Sequence, residues 1–307
     1  MKILIIKPSS LGDVIHALRV ISVLRKTASD FVLHWVIRKG LEGIISASGI
    51  VDRYFLFERG GGLLKYLDLG KKLRAEKYDC IIDMQGLFRS SILGLLTGCS
   101  TRYGRADGRE LSTLFYKCLG PKKCNHEIHA IERLIPFIEL FAEHPASDRL
   151  TLDFPHSAPK VDQAEQRDTT CPKVILFPES RRKEKVWPHF GELAKMIIEF
   201  QIAEVIVCGT IADQQYADVT DLRGTLDLAE LVHVVKGGSL IVSNDSAPLH
   251  LASALNRPAI GLFGPTNPLR YGPYPRGESH GLTLSAPSGK IDEIGIEQVF
   301  LKVREMI

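Results

Sequence analysis

Short apolar runs alternate with longer amphipathic segments along the first half of the chain. The runs have the length of strands, whereas the longer segments repeat apolar residues at helical spacing. The predicted strands are residues 2–7, 31–37, 54–57 and 80–83, with a short one near Tyr103. The predicted helices are residues 14–26, 41–48, 63–75, 88–96 and 128–141. This alternation indicates parallel βαβ units in a doubly wound sheet.

The alternation breaks over residues 144–172, which are rich in proline and polar residues and have no sustained apolar period. Such a segment is typical of a connection between domains. We therefore predict an N-terminal domain over residues 1–150 and a linker over residues 151–172. An edge segment is expected within the connection, around residues 150–154.

The pattern then restarts and predicts a second domain over residues 173–290. Its predicted strands are residues 174–177, 205–208, 240–243 and 259–263. Its predicted helices are residues 189–200, residues 226–235 and one that runs through Leu251. The last segment, residues 291–307, is helical by pattern and either completes the second domain or packs back on the first. Two Rossmann-like α/β domains follow from this interpretation.

The composition, 45% hydrophobic and 24% charged, is that of an ordinary globular protein. The apolar start, residues 3–6, is shorter than the core of a secretory signal, and no run has the length of a membrane span. We therefore expect a cytoplasmic protein. The six cysteines contain no C-x-x-C pair, which favours reduced thiols over a zinc site.

Charge is divided unevenly along the chain. Residues 1–150 hold 23 Lys and Arg against 16 Asp and Glu, or +7, and residues 151–307 hold 16 against 20, or −4. The first half is therefore suited to an anion or an anionic surface, although the same charge also serves solubility.

The loop after the first predicted strand ends in Asp13, at the start of a helix. Ligands of open α/β sheets bind at the carboxyl ends of strands. Ser9, Ser10 and Gly12 leave the backbone open to close approach, and the helix N-terminus favours an ionised carboxylate. Asp13 is thus a candidate general base, or an ordinary carboxylate of a first helical turn. The corresponding loop at residues 83–90 holds Gln85, which either lines a site or belongs to a helix cap.

The second domain contains two further candidate loops. The first, residues 178–188, carries Ser180 and four cations among residues 181–185, which would neutralise a diphosphate or form a solvated surface. The second follows the run 239–243 and places an acid, a hydroxyl and a histidine at a strand-to-helix turn, a geometry suited to a nucleotide diphosphate. Its candidate residues, with those of the next loop, are Asp245, Ser246, Ala247, His250, Gly264, Pro265 and Thr266.

With these loops taken together, the chain resembles the heptosyltransferases of the bacterial lipopolysaccharide core, glycosyltransferase family 9. Four segments carry the resemblance: residues 7–18, 83–90, 185–188 and 243–268. Within the family, the chain is most similar to the enzymes that act on the inner Kdo of Kdo2-lipid A. The resemblance implies a GT-B architecture, in which two Rossmann-like doubly wound α/β domains face a central cleft.

The resemblance also implies an inverting transfer of heptose from ADP-L-glycero-D-manno-heptose. It assigns the general base to Asp13 and phosphate binding to Lys185. The implied donor site comprises Ser180, Arg181, Lys185, Asp213, Asp245, Ser246, Ala247, His250, Gly264, Pro265 and Thr266. The implied acceptor site comprises Ser9, Ser10, Gly12, Gln85, Arg53, Arg59 and Lys65.

No cofactor is required in this scheme, and Mg²⁺ would assist without protein ligands. The expected partners are ADP-heptose, Kdo2-lipid A and the anionic surface of the inner membrane, on whose cytoplasmic face a peripheral monomer would act. The candidates for the membrane contact are Arg53, Arg59, Lys65, Lys71 and Lys72. No nucleic-acid partner is expected.

Three other functions remain open. The chain would be a glycosyltransferase of the same fold with another sugar nucleotide or acceptor, a nucleotide-sugar-binding protein without catalysis, or an epimerase. Asp13 together with Lys185 favours catalysis over binding alone. An epimerase needs acid and base groups that converge on the sugar, and no second carboxylate has an evident place for that role.

Overall fold

The computed structural model describes residues 1–27, 30–120, 128–141, 150–157, 171–211, 215–277 and 281–307. The chain divides into two compact units, Met1–His156 and Ser157–Ile307. Both consist of a parallel sheet with helices, so the predicted pair of Rossmann-like α/β domains is confirmed. Residues 158–170, which make up most of the predicted linker, lie outside the described residues.

The first unit contains a six-stranded sheet in the order β3-β2-β1-β4-β5-β6, and every neighbouring pair is parallel. Its strands are β1 (Lys2–Ile6), β2 (Val32–Arg38), β3 (Arg53–Phe57), β4 (Cys80–Asp83), β5 (Arg102–Arg105) and β6 (Lys117–Leu119). The central strands β1 and β4 are buried along most of their length, as expected for a sheet covered on both faces. The pattern did not predict β6, since that strand is short and its first two residues are exposed.

Four α-helices of the first unit match the predicted segments: α1 (Leu11–Thr27), α2 (Glu42–Ser48), α3 (Gly62–Ala75) and α4 (Phe88–Leu96). Buried side chains of α3, such as Leu69 and Leu73, pack with Leu4 and Ile81 of the sheet. Helix α1 is so thoroughly buried that even Arg19 is covered, and its guanidinium donates to the carbonyl of Leu150.

Two of the predicted elements are wrong, and both lie in segments that pack near α1. Residues 128–141 form turns and a short 3-10 helix, Ile135–Phe137, instead of an α-helix. Pro136 lies in the middle of this segment, has no N–H and disfavours a continuous helix. Residues 150–154 form no strand; Leu150 and Phe154 are buried in irregular backbone that belongs to the first unit.

The second unit repeats the plan, with a parallel sheet in the order β12-β11-β10-β7-β8-β9. Its strands are β7 (Lys173–Phe177), β8 (Glu204–Val207), β9 (Thr220–Asp221), β10 (Leu240–Asn244), β11 (Ala259–Phe263) and β12 (Gly281–Ser285). Strands β9 and β12 lie at the two edges and were not predicted. Strand β9 is only two residues long and has no apolar run, and β12 is mostly half-buried.

The described helices of the second unit are α5 (Phe190–Glu199), α6 (Leu228–Gly237), α7 (Ala247–Ala254), α8 (Pro268–Tyr271) and α9 (Ile296–Met306). The last helix, α9, buries Val299 and Val303 in a core that also contains Leu193 and Ile197 of α5. Of the two placements left open by the sequence, the C-terminal helix therefore completes the second unit.

In each sheet, successive strands are added first on one side of the starting strand and then on the other. In the first sheet β2 and β3 lie on one side of β1, and β4 to β6 lie on the other. In the second sheet the reversal falls between β7 and β10. Loops that leave the carboxyl ends of the two strands at such a switch point diverge and open a crevice, which is where ligands of doubly wound sheets bind.

Candidate functional site

Asp13 lies at the switch point of the first sheet, in the first turn of α1 after β1. One carboxylate oxygen, Oδ2, accepts hydrogen bonds from the Ser10 hydroxyl at 2.7 Å and from the Ser10 backbone N–H at 3.1 Å. These bonds fix the carboxylate at the helix N-terminus, as in a capping box. The side chain is nevertheless 48% exposed, so the fixed carboxylate is presented to solvent.

Behind Asp13 lies Lys7, a residue that the sequence did not predict for the site. Its side chain is 3% exposed, and its Nζ lies 4.0 Å from Asp13 Oδ2. Burial lowers the pKa of the Lys7 ammonium from its ordinary value of 10.5; Asp13 opposes this shift and Arg105 adds to it. A buried cation behind the exposed carboxylate attracts its negative charge without competing for ligands at its exposed side.

The neighbouring loop after β4 is closed by Asp83. Its Oδ1 accepts from the backbone N–H groups of Gln85 at 2.7 Å and Gly86 at 3.1 Å, and burial raises the pKa of this carboxyl. Ser90 accepts from the N–H of Leu87 and thereby caps α4. The side-chain oxygen of Gln85 is buried and has no hydrogen-bond partner in the described part of the chain. These bonds account for Ser90 and for one oxygen of Asp83, whereas the side-chain oxygen of Gln85 is covered.

The structure separates the predicted acceptor-binding cations. Arg59 lies in the turn after β3, and Lys65 on α3 pairs with Glu58 at 2.5 Å, both near the carboxyl edge of the sheet. Arg53 instead begins β3 and pairs with Glu76 at 2.6 Å. Because all strands are parallel, Arg53 lies at the amino edge, opposite Ser9, Ser10, Gly12 and Asp13, and it has no place in a site with them.

The second switch point brings together Lys185 and Asp245, which are far apart in the sequence. Lys185 ends a short 3-10 helix after β7, and Asp245 follows β10 directly. Lys185 Nζ lies 2.5 Å from Asp245 Oδ2, which also accepts from the Thr266 hydroxyl at 2.7 Å. Asp245 is 5% exposed and Lys185 15%, so the cation is the more accessible partner. A cation fixed in this way is suited to a phosphate oxygen.

Hydrogen bonds across the sheet edge hold these loops in place. Asn244 donates to the carbonyl of Pro178 and accepts from the N–H of Trp187, which joins β10 to the loop that carries Lys185. Glu179 accepts from the backbone N–H groups of Thr210 and Ile211 and so joins the loops after β7 and β8. Asp213, the predicted ribose-binding acid, lies outside the described residues.

The start of α7 completes this group. Ser246 is the N-cap residue, but its hydroxyl hydrogen-bonds with the Ser243 hydroxyl at 3.1 Å instead of capping the helix. Ala247 is the first helical residue and His250, which is buried, lies one turn further along. Gly264 is required by packing, because a Cβ there would lie 2.9 Å from the Cβ of Ile291. Pro265, next to it, is exposed.

Most of the predicted cationic loop faces solvent. Arg181 and Lys183 are exposed, and Arg182 pairs with Glu184 in its own loop. Ser180 is half-buried beside Glu179. Among the four cations of residues 181–185, Lys185 is therefore the one that the fold directs to Asp245.

Two further residues of this group were not predicted. The ring of Tyr271, in α8, has its centroid 5.9 Å from Lys185 Nζ and 5.1 Å from Arg270 Cζ. Both distances are within the range of cation–π contacts, so the ring of Tyr271 contacts Lys185 and Arg270. The sequence gave no indication of this contact, because Lys185 and Tyr271 are far apart along the chain and meet only in the fold.

Within the described ranges, no helix combines the length and apolar character needed to cross a membrane. The same ranges hold no group of three or more His, Cys, Asp and Glu side chains that is suited to a metal ion.

Comparison with known proteins gives consistent matches. Residues 66–291 match the family glycosyltransferase family 9 (heptosyltransferase). The chain is 28% identical to lipopolysaccharide heptosyltransferase 1 of Campylobacter coli, over 87% of this chain and 84% of the relative. Two solved structures cover the full length of both chains: E. coli heptosyltransferase WaaC with ADP, at a TM-score of 0.82 and 23% identity, and WaaC with ADP-2-deoxy-2-fluoro heptose, at 0.77 and 22%.

Proposed function

Because the chain belongs to glycosyltransferase family 9, the heptosyltransferases, we propose that it transfers heptose from ADP-L-glycero-D-manno-heptose to the inner Kdo of Kdo2-lipid A, with inversion at the anomeric carbon. The family match covers about three quarters of the chain and makes it a glycosyltransferase. The donor, the acceptor and the stereochemistry are the proposed part.

The second unit is assigned to the donor. In support, the WaaC structures hold ADP and a fluorinated ADP-heptose in a protein of the same fold. Lys185 and the N-terminus of α7 would bind the diphosphate, with Ser246 as a hydroxyl donor. Thr266 would belong to the donor site by holding Asp245 beside Lys185, through the hydrogen bond that its hydroxyl donates. Ser180, Arg181, Asp213, Ala247, His250, Gly264 and Pro265 remain proposed donor contacts.

Asp13 is assigned the role of general base. Its carboxylate accepts the proton of the acceptor hydroxyl while that oxygen bonds to the anomeric carbon of the heptose. The bond from this carbon to the diphosphate oxygen breaks at the same time, and ADP leaves with the electron pair. Lys185 stabilises the charge that develops on the ADP. The amino group of Lys7 lies 4.0 Å behind the Asp13 carboxylate, and Gln85 remains a proposed acceptor contact.

The acceptor is a lipid, so we place the reaction at the cytoplasmic face of the inner membrane, with the first unit against an anionic surface. The net charge of +7 on residues 1–150 supports this assignment. Arg59 and Lys65 stay in the proposed contact, and Arg53 is left out because of its position at the amino edge.

One observation carries the proposal: the switch point of one sheet presents a carboxylate and that of the other presents a cation. Mass spectrometry of Kdo2-lipid A incubated with ADP-heptose and the protein tests it. A mass gain of one heptose is expected. Transfer only from another sugar nucleotide would identify a different glycosyltransferase, and ADP-heptose binding without transfer, measured by thermal shift, would identify a binding protein.

A further inference from the structure

We propose that the N-terminal half of α3 docks on an anionic lipid bilayer by inserting Leu63, Leu64 and Leu67 among the lipid chains. The inference extends the proposed function, on which it rests for the choice of a membrane-held acceptor. It adds an apolar contact to the electrostatic one, and it assigns this contact to a defined helical face.

The outer face of α3 is apolar where it should be polar. Leu63 is 71% exposed and Leu64 is 83% exposed, and Leu67 is exposed as well. At about 100° per residue, these three side chains lie on the side of the helix opposite the buried Leu69 and Leu73. Helices on the surface of a globular protein normally place polar residues there. Adjacent exposed leucines therefore indicate a binding surface.

The charge of α3 indicates what binds to that surface. The helix carries four cations, Lys65, Lys71, Lys72 and Arg74, against one acid, Asp68. Lys71 and Arg74 continue the leucine face towards the C-terminal half of the helix. An apolar face flanked by cations is typical of helices that lie in the interface of an anionic bilayer. A second copy of the chain would oppose the same cations to themselves across a twofold axis, which disfavours a dimer.

A pocket lies on the other side of α3, and Leu63 belongs both to its wall and to the leucine face. It has a volume of about 1000 Å³ and lies between β3, α3 and α4. Its wall combines the apolar side chains of Leu56, Leu63 and Phe88 with charged ones, among them Lys65, Asp68 and Lys72. The pocket reaches the loop after β3 and the start of α4, at the same sheet edge as Asp13. Docking there would bring a lipid-held acceptor to the edge that carries the proposed base.

Sedimentation of the full-length protein with vesicles tests the proposal. The wild-type chain should bind vesicles of phosphatidylcholine and phosphatidylglycerol far better than vesicles of phosphatidylcholine alone. The variant Leu63→Ser/Leu64→Ser should lose about tenfold or more in vesicle affinity, since each leucine gives up its burial in the bilayer. The matched control is Leu301→Ser, which removes an exposed leucine from α9 in the second unit. Thermal unfolding of both variants should match the wild type, because the replaced side chains are exposed.

A second variant separates the two parts of the contact. Lys71→Glu/Arg74→Glu should reduce binding to phosphatidylglycerol vesicles in low salt. High salt should lower the vesicle affinity of the wild type to a value close to that of this variant. The variant Leu63→Ser/Leu64→Ser should bind vesicles more weakly than the wild type at high salt as well as at low salt.

The proposal is overturned if the wild-type chain ignores anionic vesicles, or if Leu63→Ser/Leu64→Ser binds them as the wild type does. It is also overturned if ultracentrifugation shows a wild-type dimer that this variant dissociates, since the leucines would then pack against a second copy. Transfer to a water-soluble Kdo acceptor distinguishes the two hypotheses. Normal transfer by the serine variant leaves the proposed function intact, and a wild-type chain inactive on that acceptor refutes the function without affecting vesicle binding.

Discussion

The two units share a sheet order but have opposite charge arrangements at their switch points. In the first unit the cation, Lys7, is buried and the carboxylate of Asp13 is presented to solvent. In the second unit the carboxylate of Asp245 is buried and the cation, Lys185, is the more accessible partner. In each pair the buried charge holds or attracts the presented one. One topology is thus adapted to present a base in one unit and an anion-binding cation in the other.

The largest expected effect comes from removing the presented carboxylate. Asp13→Asn keeps the size of the side chain and can still accept from Ser10, but it cannot take up the acceptor proton. Turnover should fall by about 10²–10⁴-fold, the usual contribution of a general base. Rate measurements at saturating donor check this, with ADP affinity expected to stay near the wild-type value.

Asp30→Asn is the matched control, because it removes an exposed carboxylate just beyond the other end of α1. It should leave turnover unchanged. Equal rates for Asp13→Asn and the wild type would show that Asp13 is not the general base. The first unit would then not differ from the second by presenting a base.

The next effect comes from the ion pair of the second unit. Lys185→Met leaves the buried Asp245 without its cation, which should cost about 2–5 kcal/mol of unfolding free energy and most of the ADP affinity. Adding Asp245→Asn removes the unpaired charge and should restore much of the stability, but not the ADP binding. Denaturant unfolding and calorimetry with ADP measure the two quantities separately.

Lys195→Met on α5 is the control, since it removes an exposed lysine from the same unit. If the double variant recovered ADP affinity together with stability, Lys185 would be a structural residue and the two switch points would not differ in function.

The sequence predicted the parts of these sites that depend on local pattern. Strand β4 and helix α4 have the predicted bounds, because a clean apolar run and an amphipathic period mark them. The helix expected at residues 128–141 was wrong, since apolar spacing alone does not reveal a segment that packs around Pro136. The edge strands β6, β9 and β12 are too short or too exposed to show the pattern of a buried strand.

Side-chain roles depend on burial and on strand direction, which residue type does not encode. The sequence pattern placed Lys7 at the end of the first predicted strand, and only the fold shows that its side chain is buried. Arg53 was grouped with the acceptor cations by charge, and the direction of β3 puts it at the other edge. The Lys185–Asp245 contact joins two loops through the adjacency of β7 and β10, which no local pattern specifies.

A smaller effect is expected from the buried cation of the first unit. Lys7→Met should leave the chain folded, since an apolar side chain of similar length suits the buried position. Turnover should fall by about tenfold, because Asp13 loses the attraction of the ammonium 4.0 Å behind it, which helps to hold the carboxylate in place.

The pH dependence of stability tests the burial of that cation. The pKa of Lys7 is lower in the folded chain than its ordinary value of 10.5, so the folded state binds fewer protons than the unfolded state between the two values. Wild-type stability should therefore rise with pH in that window relative to Lys7→Met. Unfolding free energies of both proteins from pH 7 to about 10.5 would show it. A difference that stays constant with pH would mean that Lys7 is not desolvated, and that the first unit does not hide its cation.

The smallest effect concerns the hydroxyl that holds the buried carboxylate of the second unit. Thr266→Val keeps the shape of the side chain but removes its hydrogen bond to Asp245 Oδ2. The expected loss of unfolding free energy is about 1–2 kcal/mol, near the lower end for a hydrogen bond to a charged group, because Asp245 keeps its other partner, Lys185. Thr266→Ser should retain the bond and most of the stability. If Thr266→Val lowered ADP affinity as strongly as Lys185→Met, the hydroxyl would bind the nucleotide directly. Lys185 would then not be the main residue of this unit that binds the anion.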